Sequence, residues 1–164
     1  MALQSALGFG VVPRELASAM TGLEFLEKLR DGALPAPPFA EAADIWLAEV
    51  EHGRVVFEAT PSPRFLNPMG SVHGGWIATV LDSAMGCAVH SVMKAGQAYT
   101  TVDMSVSFVR PVSGATGLMR CEGKLVHAGN RIATAEGRLW DAAGRLVAHG
   151  SETCMVIGAP GARA

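Results

Sequence analysis

A long apolar run begins at Trp76 and continues to Val89, and Asp82 is its single formal charge. No proline interrupts it, and a loop rich in turn formers precedes it, so one helix beginning near His73 is predicted. A helix apolar on all sides is expected to be buried on all sides. Upstream, Leu23, Phe25, Leu26 and Leu29 fall on one face of a shorter helix over residues 21–31. Thr21 can cap it, with Glu24 three residues on. Gly32 ends that helix, and the proline-rich residues 34–39 predict an extended connector. Residues 44–51 and 54–59 read as two strands joined by a turn at His52-Gly53.

After Gly96 the period changes to two. Val102, Met104, Val106 and Phe108 alternate with Thr101, Asp103, Ser105 and Ser107, the pattern of a half-buried strand. Arg110-Pro111 ends it. Three longer strands are predicted over residues 116–127, 131–140 and 145–157, separated by hairpin-compatible turns at Gly129-Asn130 and at 141–144. The expected layout is α+β: one antiparallel sheet wrapped around one long central helix, with the last four strands in a meander. Residues 1–41 form an N-terminal arm with the short helix, residues 1–20 being either loose or a docked helix. Residues 42–164 form one domain that ends in a flexible tail from 158.

Composition changes this picture in three ways. With 49% hydrophobic and 17% charged residues in 164, the chain has more apolar surface than a small monomer usually buries. An oligomer is therefore expected. A net charge of −2 gives no general attraction to nucleic acid or to an anionic membrane. Cys87, Cys121 and Cys154 are odd in number and form no Cys-x-x-Cys pair, which predicts buried free thiols in a reducing, cytoplasmic compartment. The N-terminus lacks the charged region of a signal peptide. Residues 72–93 are long enough to span a membrane, but Asp82, His73, His90 and several glycines oppose that reading.

Asp82 is the residue that needs an explanation. It lies too far into the helix to cap it, and a buried unpaired carboxylate is costly. His73-Gly74-Gly75 places free N–H groups at the helix N-terminus, where they can hold a developing negative oxygen. Gly74 and Asp82 are eight residues apart, roughly 12 Å along one helix. One helix cannot bring both to one small group. Two copies packed antiparallel about a two-fold axis can, with Ala78 at the midpoint and small neighbours at Gly75, Thr79 and Gly86. The expectation is a homodimer with two shared sites.

Asn67, followed after five residues by His73-Gly74-Gly75 and then by Asp82 nine residues after the histidine, resembles the hotdog-fold acyl-CoA thioesterases of the phenylacetyl-CoA, PaaI-like branch. The resemblance covers about residues 42–157, including Thr-Val-Asp-Met-Ser, Phe-Val-Arg-Pro and Gly-Asn-Arg. It implies a hotdog fold whose dimers pair into tetramers, and hydrolysis of an acyl-CoA thioester without metal or redox cofactor. Coenzyme A is then part of the substrate. By resemblance, Asp82 is the nucleophile or general base and Gly74 supplies the oxyanion N–H, beside Gly75. Asn67 and His73 orient the carbonyl or the water, and Thr101, with Thr100 competing, positions the nucleophile or water. Arg110 and Arg131 contact the nucleotide of coenzyme A.

Blander readings stand beside these. Asn67 before Pro68 suits an ordinary turn, His73 a helix start, and Thr101 a plain strand position. Gly74 and Gly75 can simply permit close packing, while Arg110 and Arg131 suit solvated strand ends. The other histidines show no metal-ligand spacing, and no Gly-x-Ser-x-Gly is present. Two alternatives to hydrolysis remain: a hotdog dehydratase of 3-hydroxyacyl thioesters, and a non-catalytic acyl-CoA sensor.

Overall fold

The computed structural model describes residues 7–158. Residues 1–6 of the expected arm and residues 159–164 of the expected tail lie outside them. Helix α1 (Arg14–Ser18) is a single short turn, and α2 (Gly22–Arg30) follows at its expected place. Thr21 and Glu24 form the reciprocal capping box that the sequence predicts, each side chain taking the other's backbone N–H. The expected connector is partly helical: α3 (Pro38–Ala43) starts inside it. Proline at the first helical position costs no hydrogen bond, so Pro37-Pro38 starts this helix where an extended segment was expected. Asp44, at φ 54°, closes it in the left-handed region.

Strands β1 (Ile45–Glu51) and β2 (Arg54–Ala59) flank the His52-Gly53 turn, as the pattern requires. The central helix α4 (Gly74–His90) runs over the sheet, and β3 (Ala98–Phe108), β4 (Met119–Ala128), β5 (Ile132–Trp140) and β6 (Leu146–Ile157) complete it. The six strands form one antiparallel sheet in the order β1-β2-β4-β5-β6-β3. The expected four-strand meander is thus only three strands long. Strand β3 pairs with β6 at the far edge, because the segment from 109 to 118 is too long and too interrupted by Pro111 for a hairpin to β4.

Helix and sheet meet almost backbone to backbone. Gly123 and Gly137 lie opposite one another on β4 and β5. A Cβ on Gly123 would stand 2.0 Å from the carbonyl oxygen of Ala84. One on Gly137 would stand 2.8 Å from Met85 Cγ. This furrow lets Val80, Leu81, Ala84, Met85, Ala88 and Val89 reach full burial. Each large member contributes about 1.5–3 kcal/mol by leaving water.

Burial of α4 is not complete, contrary to the expectation from its composition. Ala78, Thr79, Asp82 and Ser83 are half-buried and Gly75 is exposed, in one stripe at helical spacing that the sheet does not cover. A single sheet covers one side of a helix, so an apolar opposite side needs another cover. Gly86, expected in that stripe, faces the sheet instead, its place for a Cβ lying 2.7 Å from Tyr99 Oη.

Candidate active site

The chain turns into α4 through a loop that Asn67 holds together. Its Oδ1 accepts from the N–H groups of Met69 and Ser71, and its own N–H donates to the Ser71 carbonyl. The turn reading of Asn67 is therefore realised, and the side-chain amide NH2 remains as the group it can present. His73 is the N-cap of α4: its Nδ1 accepts the Gly75 N–H at 2.9 Å. That leaves Gly74 as the glycine whose N–H has no acceptor among the described residues. Phe108, at the end of β3, lies against Gly74, within 3.3 Å of where its Cβ would be. An open groove of about 400 Å³ borders the same helix end, lined by Arg64, Phe65, His73, Gly75, Trp76 and Thr79 among others.

Asp82 sits two turns further along, on the uncovered stripe. Burial raises its pKa above the ordinary aspartate range, and the Thr101 hydroxyl beside it partly offsets this. Thr101 reaches the helix side of the sheet through a bulge between Thr101 and Asp103. The extra residue, Val102, resets the alternation, so Tyr99 and Thr101 share a face with Met104 and Val106. Val102, expected inside, is accordingly 53% exposed; Phe108 keeps the inward parity of Met104 and Val106 but, at the strand's end, is equally exposed. Of the two competing threonines, Thr101 is the one whose hydroxyl meets carboxylates: its Oγ1 lies 2.6 Å from Glu152 Oε1.

Thr101 and Asp82 thus meet within one protomer, while Asn67, His73 and Gly74 gather at the other end of the same helix stretch. Arg110 donates to the Leu146 carbonyl at the sheet's end, and Arg131 is an exposed residue of the β4–β5 turn. Neither shares a described contact with Asp82 or the His73 loop. Among the described residues, no group of three or more His, Cys, Asp or Glu is placed to hold a metal ion. No described helix is long and apolar enough to cross a membrane.

The family model of the Thioesterase superfamily matches residues 69–148, from the turn before His73 to the start of β6. A protein of Saccharolobus solfataricus, provisionally named an esterase, is 30% identical over 63% of this chain and 71% of its own length. The chain belongs to the thioesterase superfamily. A second provisionally named esterase, from Halobacterium salinarum, is 38% identical over 41% of this chain, which spans less than half of that protein, 44%. Among solved structures, a provisionally named thioesterase of Ralstonia eutropha, described as phenylacetic acid degradation-related, is similar with TM-score 0.73. It is 28% identical, over 80% of this chain and 98% of that one. A protein of Streptococcus pneumoniae described as a hypothetical thioesterase and solved with coenzyme A has the same fold: TM-score 0.64, 23% identity, 70% of this chain and 87% of that one. The sheet around a long central helix is the hotdog fold of this superfamily.

The residue that sequence reasoning missed in this thioesterase fold is Glu152. It is 1% exposed, and its Oε1 also accepts from the Cys154 thiol at 3.1 Å. Its signal was present in the period-two pattern of β6. Ala148, Gly150, Glu152, Cys154 and Val156 alternate with His149, Ser151, Thr153, Met155 and Ile157, which puts a carboxylate on the inward set. The three cysteines are free, as expected, and burial pushes the Cys87 and Cys154 thiols up to about 12.

Proposed function

We propose that the protein hydrolyses an acyl- or aryl-acyl-CoA thioester to free acid and coenzyme A in a site shared by two copies of the chain. The observation that carries this reading is the half-covered stripe of α4, in which a carboxylate with raised pKa lies two turns from an unpaired N–H. The two groups lie about 12 Å apart on one helix. They meet at one carbon only when Asp82 of one copy faces Gly74 of the other. The family assignment supports the reaction class. The coenzyme A bound to the Streptococcus pneumoniae relative supports the thiol. Strand β3 supports the dimer: it is an 11-residue edge strand with Val102 and Phe108 exposed, open to pairing with a second copy. We place the protein in the cytoplasm as a dimer that pairs again into a tetramer.

In this reading the Gly74 N–H takes the thioester oxygen as negative charge develops on it, while Asn67 and His73 orient the carbonyl or the water. Asp82, ionised, takes the proton of a water attacking the carbon, or attacks it directly. The tetrahedral intermediate then expels the coenzyme A thiolate. After water attack the thiolate takes the proton held by Asp82. After direct attack water first cleaves the acyl–Asp82 anhydride to free acid and an Asp82 carboxylic acid, which gives the thiolate its proton. Arg110 and Arg131 are the cations we assign to the phosphates.

Thiol release from a panel of acyl- and aryl-acyl-CoAs tests the reaction; no release from any of them would put a sensor ahead of an enzyme. The shared site has its own test. Gly74 is the first residue of α4, where proline fits a helix, and His73 already holds the extended backbone that a following proline demands. Gly74→Pro therefore deletes the N–H with the helix kept. The new ring would press on Phe108, whose exposed side chain can turn aside. The expected result is therefore a Tm lowered only slightly and a kcat lower by about 10²–10³-fold, the worth of one oxyanion donor. Mixing inactive Gly74→Pro with inactive Asp82→Asn subunits should restore activity, because each mixed dimer holds one intact site. No recovery in verified mixed dimers would show that the site is not shared.

A further inference from the structure

Thr101 has one hydroxyl hydrogen and two carboxyl groups next to it. Its Oγ1 lies 2.6 Å from Glu152 Oε1 and also beside Asp82, so it can donate to only one of them. Glu152 is the more deeply buried of the two. It forms no ion pair among the described residues, and its Oε2 has no hydrogen-bond partner there. An ionised carboxylate in that position would leave a full charge with one free oxygen away from water.

We propose that Glu152 is a positioning residue of the site: as a neutral acid it donates to Thr101 Oγ1 and turns the Thr101 hydrogen onto Asp82. The chain of donors then runs Glu152 to Thr101 to Asp82, and the single negative charge rests on the carboxylate that faces the reacting carbon. Two carboxyl groups are kept in different protonation states by their surroundings. This assignment rests on the thioesterase reading for its catalytic meaning, though not for the protonation of Glu152.

The surroundings of Glu152 agree on every side. From α4 it is faced by Asp82 and Cys87, from β3 by Tyr99 and Thr101, and from its own strand by Cys154. His90, whose ring centre is 5.7 Å from that of Tyr99, is pushed by burial toward its neutral form. No cation stands among these groups to hold a second carboxylate ionised. Burial, and then the nearby Asp82 charge, raise the Glu152 pKa above the ordinary 4.5, against the Thr101 and Cys154 hydrogen bonds. A raised acid stabilises the fold fully below 4.5 and loses that contribution as pH rises through its folded value.

Glu152→Gln keeps the size and a donor, while Glu152→Leu keeps only the size. The expected result is that Glu152→Gln retains kcat and the acid limb of the pH profile. Glu152→Leu should lower kcat about tenfold, the worth of one hydrogen bond, with KM little changed. Its acid limb should also move upward, because a Thr101 hydroxyl no longer fixed and polarised by the Glu152 donor is a weaker donor to Asp82. Glu152→Gln as damaged as Glu152→Leu would overturn the proposal by showing that an ionised Glu152 is needed. Glu152→Leu equal to wild type would overturn it by showing no role. A readout independent of activity is the infrared carboxylic-acid C=O band at neutral pH. Wild type and Asp82→Asn should show it and Glu152→Gln should lack it. Absence of the band in wild type would overturn the neutral acid. Absence of thiol release with the band present would remove the thioesterase reading while Glu152 stands protonated.

Discussion

Asp82→Asn is expected to lower kcat for thiol release by about 10²–10⁴-fold, the range for losing a positioned general base. Asparagine keeps the shape and can still accept from Thr101, but it can neither take a proton nor attack a thioester. A fully active Asp82→Asn would remove the mechanism. The pH dependence has a definite sign. The base works when ionised, so kcat should be full above its folded pKa and fall as pH drops through it. Burial places that pKa above the ordinary 3.8, and the acid limb should lie there too. Stability should run the other way. A carboxyl whose folded pKa is raised favours folding most below its unfolded value and less as pH climbs through the folded one. Asp82→Asn should therefore have a Tm above wild type at neutral pH, a gap that closes toward pH 3.8. An activity loss joined to a stability gain would mark Asp82 as a residue kept for chemistry, whereas a lowered Tm would point to a structural role.

Gly123→Ala is expected to destabilise the fold by about 3 kcal/mol, the upper end for overpacking a core. The added methyl would stand 2.0 Å from the Ala84 carbonyl oxygen, 2.3 Å from its carbon and 2.7 Å from the Met85 nitrogen. All three are helix backbone, which no rotamer change can move aside, so α4 itself has to lift from β4. Chemical denaturation measures the loss. Gly114→Ala is the control, since nothing lies within 4 Å of its Cβ position and its φ is not positive. It should stay within about 0.5 kcal/mol of wild type. If Gly123→Ala matched that control, the helix would not rest on the sheet where the furrow places it. Because α4 carries both Asp82 and Gly74, a lifted helix should also disturb the site, lowering kcat along with Tm.

Much of the candidate site was legible because its chemistry conflicts with its pattern. Asp82 stands out in a run that otherwise holds only uncharged residues, and His73-Gly74-Gly75 marks a helix start whatever the tertiary structure. Thr101 was legible only by resemblance, since in β3 it reads as an outward residue until the bulge at Val102 is known. Glu152 sat in plain view in the alternation of β6. A long strand with polar residues on its outer face gives one more carboxylate no contrast with its neighbours.

Local chemistry by itself determined the capping box of α2, the extent of β1 and β2, and the start of α4 at His73. It also determined the period-two strands of the second half. Each of these depends on residues within a few positions of one another, so neighbouring side chains and backbone preferences suffice. Only the tertiary structure decided that β3 leaves the meander to pair with β6. It also decided that two glycines on neighbouring strands align into a furrow for α4, and that a bulge brings Thr101 to Glu152 and Asp82. These facts depend on register and pairing between segments far apart in the chain, and a one-residue slip in any of them turns every side chain to the opposite face.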